Sequence, residues 1–576
     1  MQTTNHFLFG QIGFFDFFQP MKRLILLSFC CLSFVFNYAQ NTDIILGHDL
    51  YHYVDRLDIK GITGIYLPTE VKPYGRNDLA EWLANADTSQ FSVNELSWHY
   101  RMRFLADDSL AFQDYKPGIF KRFYRNRRDL FYVKTPTFQM AVNPSVHFAG
   151  GMDHNDFSGN VNDLLTYTNS RGLSLRGSFL DKIGFYTEVY DNVIRAPQFM
   201  FNYYDQNQVL PGEAFIKRFG DQNGLDFFSS RAYITYRPWK QMRIKFGKDR
   251  AFWGNGYQSL LLSDNAADYL LLNIQTRIWK LVYTNHFTQM IHFVPDRNDT
   301  EGTLPRKYGV FHQLTWAPKS NLSFSIFESV IYSPILANGQ RGFELQYLNP
   351  LIFYRAAEQY IGSPDNGMLG LQTKWNFLQR FQLYGQVLLD DYNYSRRNDG
   401  KGYWGNKLGL QVGGKYIDAF GISTLDLQAE YNRIRPYTYQ HFSTMSNYTH
   451  YRQPIGHALG ANLQDFRLFV RYHPVPPLQI LLSYHALVQG RDGADGINYG
   501  GDPQIPQINR PGEFGNIIGQ GEKWQLNQFY GRFSWQLFRS DIFLELETRY
   551  RTEAEKQSFS VLGGIRAGIL PREIKY

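Results

Sequence analysis

Asp541–Arg551 reads DIFLELETRYR. Ile542, Leu544, Leu546, Thr548 and Tyr550 alternate with Phe543, Glu545, Glu547, Arg549 and Arg551. Successive side chains of a strand point to opposite faces, so this run has one apolar and one polar face. Ser423–Arg433 repeats the pattern: Leu425, Leu427, Ala429 and Tyr431 against Asp426, Gln428, Glu430 and Asn432. So does Arg231–Pro238, with Ala232, Ile234 and Tyr236 against Arg231, Tyr233, Thr235 and Arg237. QMRIKFGK, FQLYGQVLLD and GRFSWQLFR behave likewise. The apolar faces run for about ten residues, the length a tilted strand needs to cross a bilayer. Trp239, Trp279, Trp316, Trp404 and Trp535 mark strand ends, as an aromatic girdle would. An open sheet edge is intolerable in lipid, so the sheet must close. The chain carries roughly 18 such runs, and bacterial barrels usually have even strand numbers. The expected fold is an all-β transmembrane barrel of 16–18 antiparallel strands, 18 favoured, with a small N-terminal helical bundle.

Composition agrees. Aromatics make up 17% of the 576 residues and charged residues 19%, against about 25% charge in ordinary soluble proteins. A hydrophobic fraction of 43% is too low for a helical membrane protein. Met21, Lys22 and Arg23 precede one apolar run, Leu24–Phe36, and Ala39 offers a cut. That is a secretory signal pattern, too short to span as a helix. Residues 1–20 read as an over-called start and 21–39 as the signal, with the mature chain beginning near Gln40. Cys30 and Cys31 both fall inside the signal, so the mature chain has no disulfide or thiol chemistry. The net charge is +7 and no Lys/Arg tract stands out, so no nucleic-acid partner is expected.

Residues 40–133 read as a periplasmic helical region and linker, and 134–576 as the outer-membrane barrel. Three helices are expected. One carries Leu50, Tyr53, Val54 and Leu57. Another is capped at Asn77 or Asp78 and carries Leu79, Trp82 and Leu83. The last carries Leu96, Tyr100, Phe104 and Leu105. Leu210–Asp226 and Val488–Lys523 read as long loops, extracellular or folded into the lumen.

Between two strand runs lies Arg435–Phe466, RPYTYQHFSTMSNYTHYRQPIGHALGANLQDF. Tyr437, Tyr439, His441, Tyr448, His450, Tyr451 and His457 decorate it. Each ring has an apolar face and a polar tip, which suits a sugar ring. The same rings could instead pack on one another and plug the barrel. His441, Ser443 and Asn447 have the residue types of an outer-membrane lipase, yet nothing places Ser against His. Asp153, Asn155, Asp156 and Asp163 lack the spacing of a calcium loop, and Arg491–Gly496 is equally weak. No catalytic residue, metal or cofactor is expected. In Phe246–Gly256, FGKDRAFWGNG, the residues Lys248, Asp249, Arg250, Trp253 and Asn255 suit a lumen ion-pair network, with ligand contact as the alternative.

That segment, the signal and the small helical N-terminus resemble the Wzi-type capsule-assembly outer-membrane family. FELQYLNP (343–350) and PYTYQHF…NYTHYRQPIGHALGAN (436–462) look like its Bacteroidetes branch, which includes the gliding-motility protein RemB. The resemblance implies an 18-stranded barrel with a periplasmic three-helix bundle and no catalytic activity. It implies outer-membrane lipid, surface polysaccharide and gliding-machinery proteins as partners. A diffusion channel and a lipid hydrolase are the competing functions. The family pattern is broken at the end, where Pro571 stands between the last strand run and Tyr576.

Overall fold

The computed structural model describes residues 42–108, 110, 128–156, 162–180, 182–220, 223–293, 304–336, 339–349, 365–399, 402–537, 541–572 and 575–576. The expected signal and early start lie outside them.

Eighteen antiparallel strands close into a barrel. They are β1 (Phe138–Asn155), β2 (Asn162–Phe179), β3 (Ile183–Arg195), β4 (Gly224–Trp239), β5 (Met242–Asp249), β6 (Tyr269–Ile278), β7 (Leu281–Ile291), β8 (Arg306–Lys319) and β9 (Leu322–Tyr332). The circuit continues with β10 (Asn366–Phe377), β11 (Phe381–Asp391), β12 (Lys407–Tyr416), β13 (Leu425–Ile434), β14 (Leu463–Tyr472), β15 (Leu478–Arg491), β16 (Glu522–Leu537), β17 (Ile542–Glu553) and β18 (Lys556–Ala567). Pairing of β18 with β1, from Ser558↔Asn155 to Ala567↔Val146, completes it.

The alternation read from sequence sets the faces. Asp426, Gln428, Glu430 and Asn432 of β13 are buried in the lumen. In β17, Leu544, Leu546 and Tyr550 are exposed outward while Glu545, Arg549 and Arg551 are buried inside. The outer surface is thus the kind a bilayer covers. Trp239, Trp279, Trp316 and Trp535 are exposed at one end, where tight turns join the strands, and Trp375 joins them. Trp404 is a correction: it lies in the β11–β12 loop, half-buried beneath Arg510. Two loop boundaries also move. Val488–Arg491 belongs to β15, because Val488 and Gln489 pair with β14 and β16. Within 210–226, Lys217–Phe219 forms a hairpin with the start of β4.

The outward pattern breaks on β7–β9. Asn285, His312 and Glu328 are cross-strand neighbours on the outer face, yet all three are buried. Beside them, Phe343 and Tyr347 of the FELQYLNP segment pack on Tyr308 and Tyr332 of the wall.

The helical unit sits at the tight-turn end. It holds α1 (Asp49–Lys60), α2 (Arg76–Ala84) and α3 (Val93–Ala106). Leu50, Tyr53, Val54 and Leu57 of α1 pack on Leu79, Trp82 and Leu83 of α2 and Trp98 and Met102 of α3. Each fully buried Leu contributes roughly 1.5–3 kcal/mol. Two expectations are corrected. The N-cap of α2 is Gly75, because the Asp43–Gly75 bridge holds Gly75 extended and leaves Asp78 in the first turn. The inner face of α3 is Glu95, Trp98, His99, Met102 and Ala106, while Tyr100 is exposed. Polar residues on that face pair inward: Glu95 with Arg56 (2.9 Å), and His99 with the Tyr53 hydroxyl (2.8 Å). The other face of α1 is charged because it meets the polar lumen wall. Asp55 pairs with Lys415 (2.7 Å), Asp58 with Lys374 (2.9 Å), and Arg56 with Asp418 (2.7 Å) and Asp426. Asp78–Arg237 (2.6 Å) and Ser92–Ser423 (2.7 Å) fix the unit to the turns.

Candidate functional site

The long loops fill the lumen from the other end. The β5–β6 loop runs through its centre. Asp249 pairs with Arg231 (2.7 Å) and Lys245, and Arg250 with Asp268 (2.9 Å). Lys248 is exposed and reaches the Ser230 hydroxyl, at 3.3 Å. Trp253 is fully buried, edge-on to Phe327 (5.8 Å, 85°). Asn255 donates to the Thr69 hydroxyl (3.0 Å) of the helical unit, and Val71–Lys72 pairs with Phe252–Trp253. A Cβ at Gly256 would stand 2.4 Å from Glu430, whose carboxylate accepts from the Tyr257 (2.6 Å) and Gln258 (3.0 Å) amides. Only glycine allows that approach.

The ring-rich β13–β14 loop sits on this layer. Tyr437 and Tyr439 adopt left-handed backbone, φ 66° and 75°, a conformation that costs ~1–3 kcal/mol each and persists only where the surroundings enforce it. They are enforced. Tyr437 donates its hydroxyl to Asn498 O (3.0 Å) and Tyr439 to Leu260 O (2.9 Å). Tyr448 donates to Leu261 O (2.5 Å) and stacks on Tyr439 at 5.5 Å. His450 Nδ1 accepts from the Ile291 amide (2.9 Å), and His457 Nε2 lies 2.9 Å from Asp465. These five rings are at most 2% exposed, so they form the plug and present no face to a glycan. His441 and Tyr451 differ. Both keep exposed surface, with Tyr451 stacked on Phe293 at 5.4 Å and His441 4.3 Å from Phe442. Burial pushes the His441 imidazole down to about 4 and His450 to about 3, with Lys407 and Lys307 adding to the respective effects.

A second aromatic group rims the same end. Arg510 Cζ lies 3.7 Å over Trp404, and Trp404 Nε1 donates to Glu513 (3.1 Å). Arg396 lies 5.4 Å from the Tyr403 ring and 5.7 Å from Phe514. Sequence reading missed this cluster. Its signal is a ring beside Arg and Gly in two separate loops, RRNDGKGYWGN and NRPGEFG.

Other candidates disperse. Among the described residues no hydrogen bond joins Ser443 to the His441 ring; Asn447 Oδ1 instead accepts from the His441 amide (2.6 Å). Asp153 accepts from Asn155 (3.0 Å) and from the Gln198 amide (2.9 Å). Asp163 meets His154 (2.7 Å), and Asp156 accepts from Gln557 (2.5 Å). Asp492 and Asp495 bond to Tyr499 in a turn. Past β18 the chain re-enters the lumen, where Tyr576 stacks on Tyr203 at 4.2 Å instead of closing a strand.

Residues 140–557 match the family model described as capsule assembly protein Wzi. The solved structure of Wzi from Escherichia coli is described as an outer membrane protein involved in group 1 capsule assembly and a carbohydrate-binding β-barrel. It matches with TM-score 0.55 and 14% identity, over 93% of this chain and 100% of that one. OprD of Pseudomonas aeruginosa gives TM-score 0.39 and 10% identity, over 75% and 96%. OccAB1 of Acinetobacter baumannii gives 0.38 and 10%, over 74% and 96%. No curated protein sequence matches.

Proposed function

The chain belongs to the Wzi capsule-assembly family, and from that premise we propose a non-enzymatic outer-membrane barrel that binds or organises surface polysaccharide. The observation that carries this reading is the ring-and-guanidinium rim at the long-loop end: Tyr403, Trp404 and Phe514 under Arg396 and Arg510, with Phe442, Tyr451 and His441 nearby in sequence to the plug. Aromatic faces stack on the apolar face of a sugar, and guanidinium and amide groups bond its hydroxyls. Of the seven rings picked out in the β13–β14 loop, His441 and Tyr451 take the glycan-contact role. Tyr437, Tyr439, Tyr448, His450 and His457 hold the loop in place. The E. coli relative's description as carbohydrate-binding supports the same assignment. The helical unit is assigned to the periplasm, because it packs on the tight turns, which face inward in such barrels. A tag after Gln40 should stay unlabelled on intact cells. The FELQYLNP and PYTYQHF segments support a further role in surface gliding, with gliding-machinery proteins as partners.

Deleting the gene in its host should lower retained capsule and surface spreading together. Normal values for both would overturn the reading. Trp404→Ala with Tyr451→Ala should lower polysaccharide retention in a barrel that still shows heat-modifiable migration. A single stacking contact is worth only about 0.5–1.5 kcal/mol, so the double change is the informative one.

A further inference from the structure

A cavity of about 410 Å³ lies in the lumen between the helical unit and the wall formed by β1–β5 and β15–β18. None of Arg396, Tyr403, Trp404, Arg510 and Phe514 lines it, and its size suits a small-ligand pocket, ~300–1,000 Å³. Eleven Arg and Lys side chains line it against six Asp and Glu. Most of these cations are matched. Arg231 meets Glu188 (3.0 Å) and Asp268 (3.2 Å), Arg572 meets Glu213 (2.9 Å), and Lys575 meets Asp264 (2.5 Å). Behind the lining, Asp129 meets Arg176 (2.5 Å) and Glu545 meets Arg566 (2.9 Å).

Arg76 and Arg101, together with the exposed Lys248 on Ser230, stand apart. Arg101 donates to the Gln536 amide oxygen (2.9 Å), and Arg76 to the Leu105 carbonyl. Both partners are neutral. Asp49 and Asp541 line the same cavity, yet among the described residues no ion pair joins either of them to these guanidiniums. Burial, with Arg176 and Arg128 nearby, pushes Arg76 down to about 10 against the pull of Asp108, and burial lowers Arg101 against the pull of Asp49 and Asp541. Tyr190, Asn192 and Gln536 add hydroxyl and amide groups to the lining. A guanidinium matches a carboxylate in bidentate geometry, and the amides and hydroxyls match sugar hydroxyls.

We propose that this cavity binds a carboxylate-bearing sugar unit, with Arg76 and Arg101 as its anion contacts. The anion half of the assignment rests on the charge pattern alone. The sugar half rests on the polysaccharide reading above.

The test is calorimetric titration of the full chain in detergent at low salt. The probes are trigalacturonate, its methyl ester and glucose 1-phosphate. Trigalacturonate should bind, and the ester should bind at least tenfold more weakly. Arg76→Gln with Arg101→Gln should weaken trigalacturonate at least tenfold, while Lys319→Gln, outside both the cavity and the rim, should leave it unchanged. Should the arginine variant fail to assemble, the ester comparison on the unaltered protein decides alone. No binding of trigalacturonate, equal binding of acid and ester, or an equal loss of binding in Lys319→Gln would overturn the proposal. Tighter binding of glucose 1-phosphate would overturn the carboxylate assignment in favour of a phosphate site. Failure of the polysaccharide reading shows separately, as unchanged capsule in the deletion strain.

Discussion

The two sides of the lumen are sealed by different means. Under β6–β14 the long-loop end is closed by packing: Trp253, Leu260, Phe311, Phe327, Leu388 and Tyr448 belong to one buried apolar cluster. Under β1–β5 and β16–β18 the wall is joined by charge. Arg231 bridges Glu188, Asp249 and Asp268, Arg566 bridges Glu545, and a cavity remains beside them. Close-packed apolar side chains exclude water and depend on shape, whereas ion pairs need hydration or partners and so leave space between elements. The β6–β14 side is therefore the larger packed seal, while on the other side a second apolar cluster with Phe199, Leu210 and Phe227 lies by the charged wall, whose cavity gives a polar ligand room.

Breaking the seal should give the largest effect. Trp253→Ala removes the side chain at the centre of the packed side and should weaken the plug by ~3–5 kcal/mol. Trp253 touches His286, Phe311 and Phe327 on the wall, but those strands keep their own ladder pairing. The variant should assemble normally, conduct in planar bilayers and lose protease resistance in residues 435–462. Unchanged conductance would mean that the charged side also seals.

Next is the wall that both sides share. Leu427 points outward and Gln428 into the lumen. Leu427→Arg should cost ~2–4 kcal/mol near the bilayer midplane and impair assembly. Gln428→Arg loses the bond Gln428 accepts from Arg471 (3.0 Å) but stays in a polar lumen that already holds Glu430 and Asp426, so its cost should be the smaller. Equal heat-modifiable migration of the two variants would contradict the register.

That register was legible in the sequence because β13 and β17 carry polar residues on every second position, a pattern set within each strand. The burial of Tyr437, Tyr439 and Tyr448 was not. An amphipathic ring in a loop looks the same whether it meets sugar or protein, and the acceptors Leu260 O and Leu261 O lie far away in sequence. The face of α3 was misread for a related reason. Glu95 and His99 look like surface residues until Arg56 and Tyr53 are placed opposite them. The cavity had no local signature at all, since Arg76, Arg101, Tyr190 and Gln536 come from four separate elements.

Acid should separate the two sides more gently. His441 and His450 lie in the β13–β14 loop, and their folded values, about 4 and about 3, fall below the usual 6.5. A His held neutral by burial adds stability above pH 6.5, and that stability is lost as pH falls toward the folded value. The loop should loosen between about pH 6.5 and 3, by a few kcal/mol at most. Conductance should rise reversibly across that window, and His450→Gln should flatten the response. A flat profile in the unaltered protein would argue that the loop stays packed with its imidazoles charged.

The smallest effect decides what the buried rings do. Tyr439→Phe keeps the ring and its stack on Tyr448 but removes the hydroxyl that donates to Leu260 O. A net hydrogen bond of this kind is worth about 0.5–1.5 kcal/mol. The packed cluster around it should hold, so conductance at neutral pH should stay closed and only the proteolysis rate of the loop should rise slightly. Polysaccharide retention should not change, because Tyr439 presents no surface to a sugar. Tyr451→Ala, on the exposed edge of the same loop, combined with Trp404→Ala should do the reverse, lowering retention with the seal intact. If Tyr439→Phe lowers retention while the loop resists protease as before, the ring meets glycan in a state the packed plug does not represent, and the division of the loop into plug and contact residues fails.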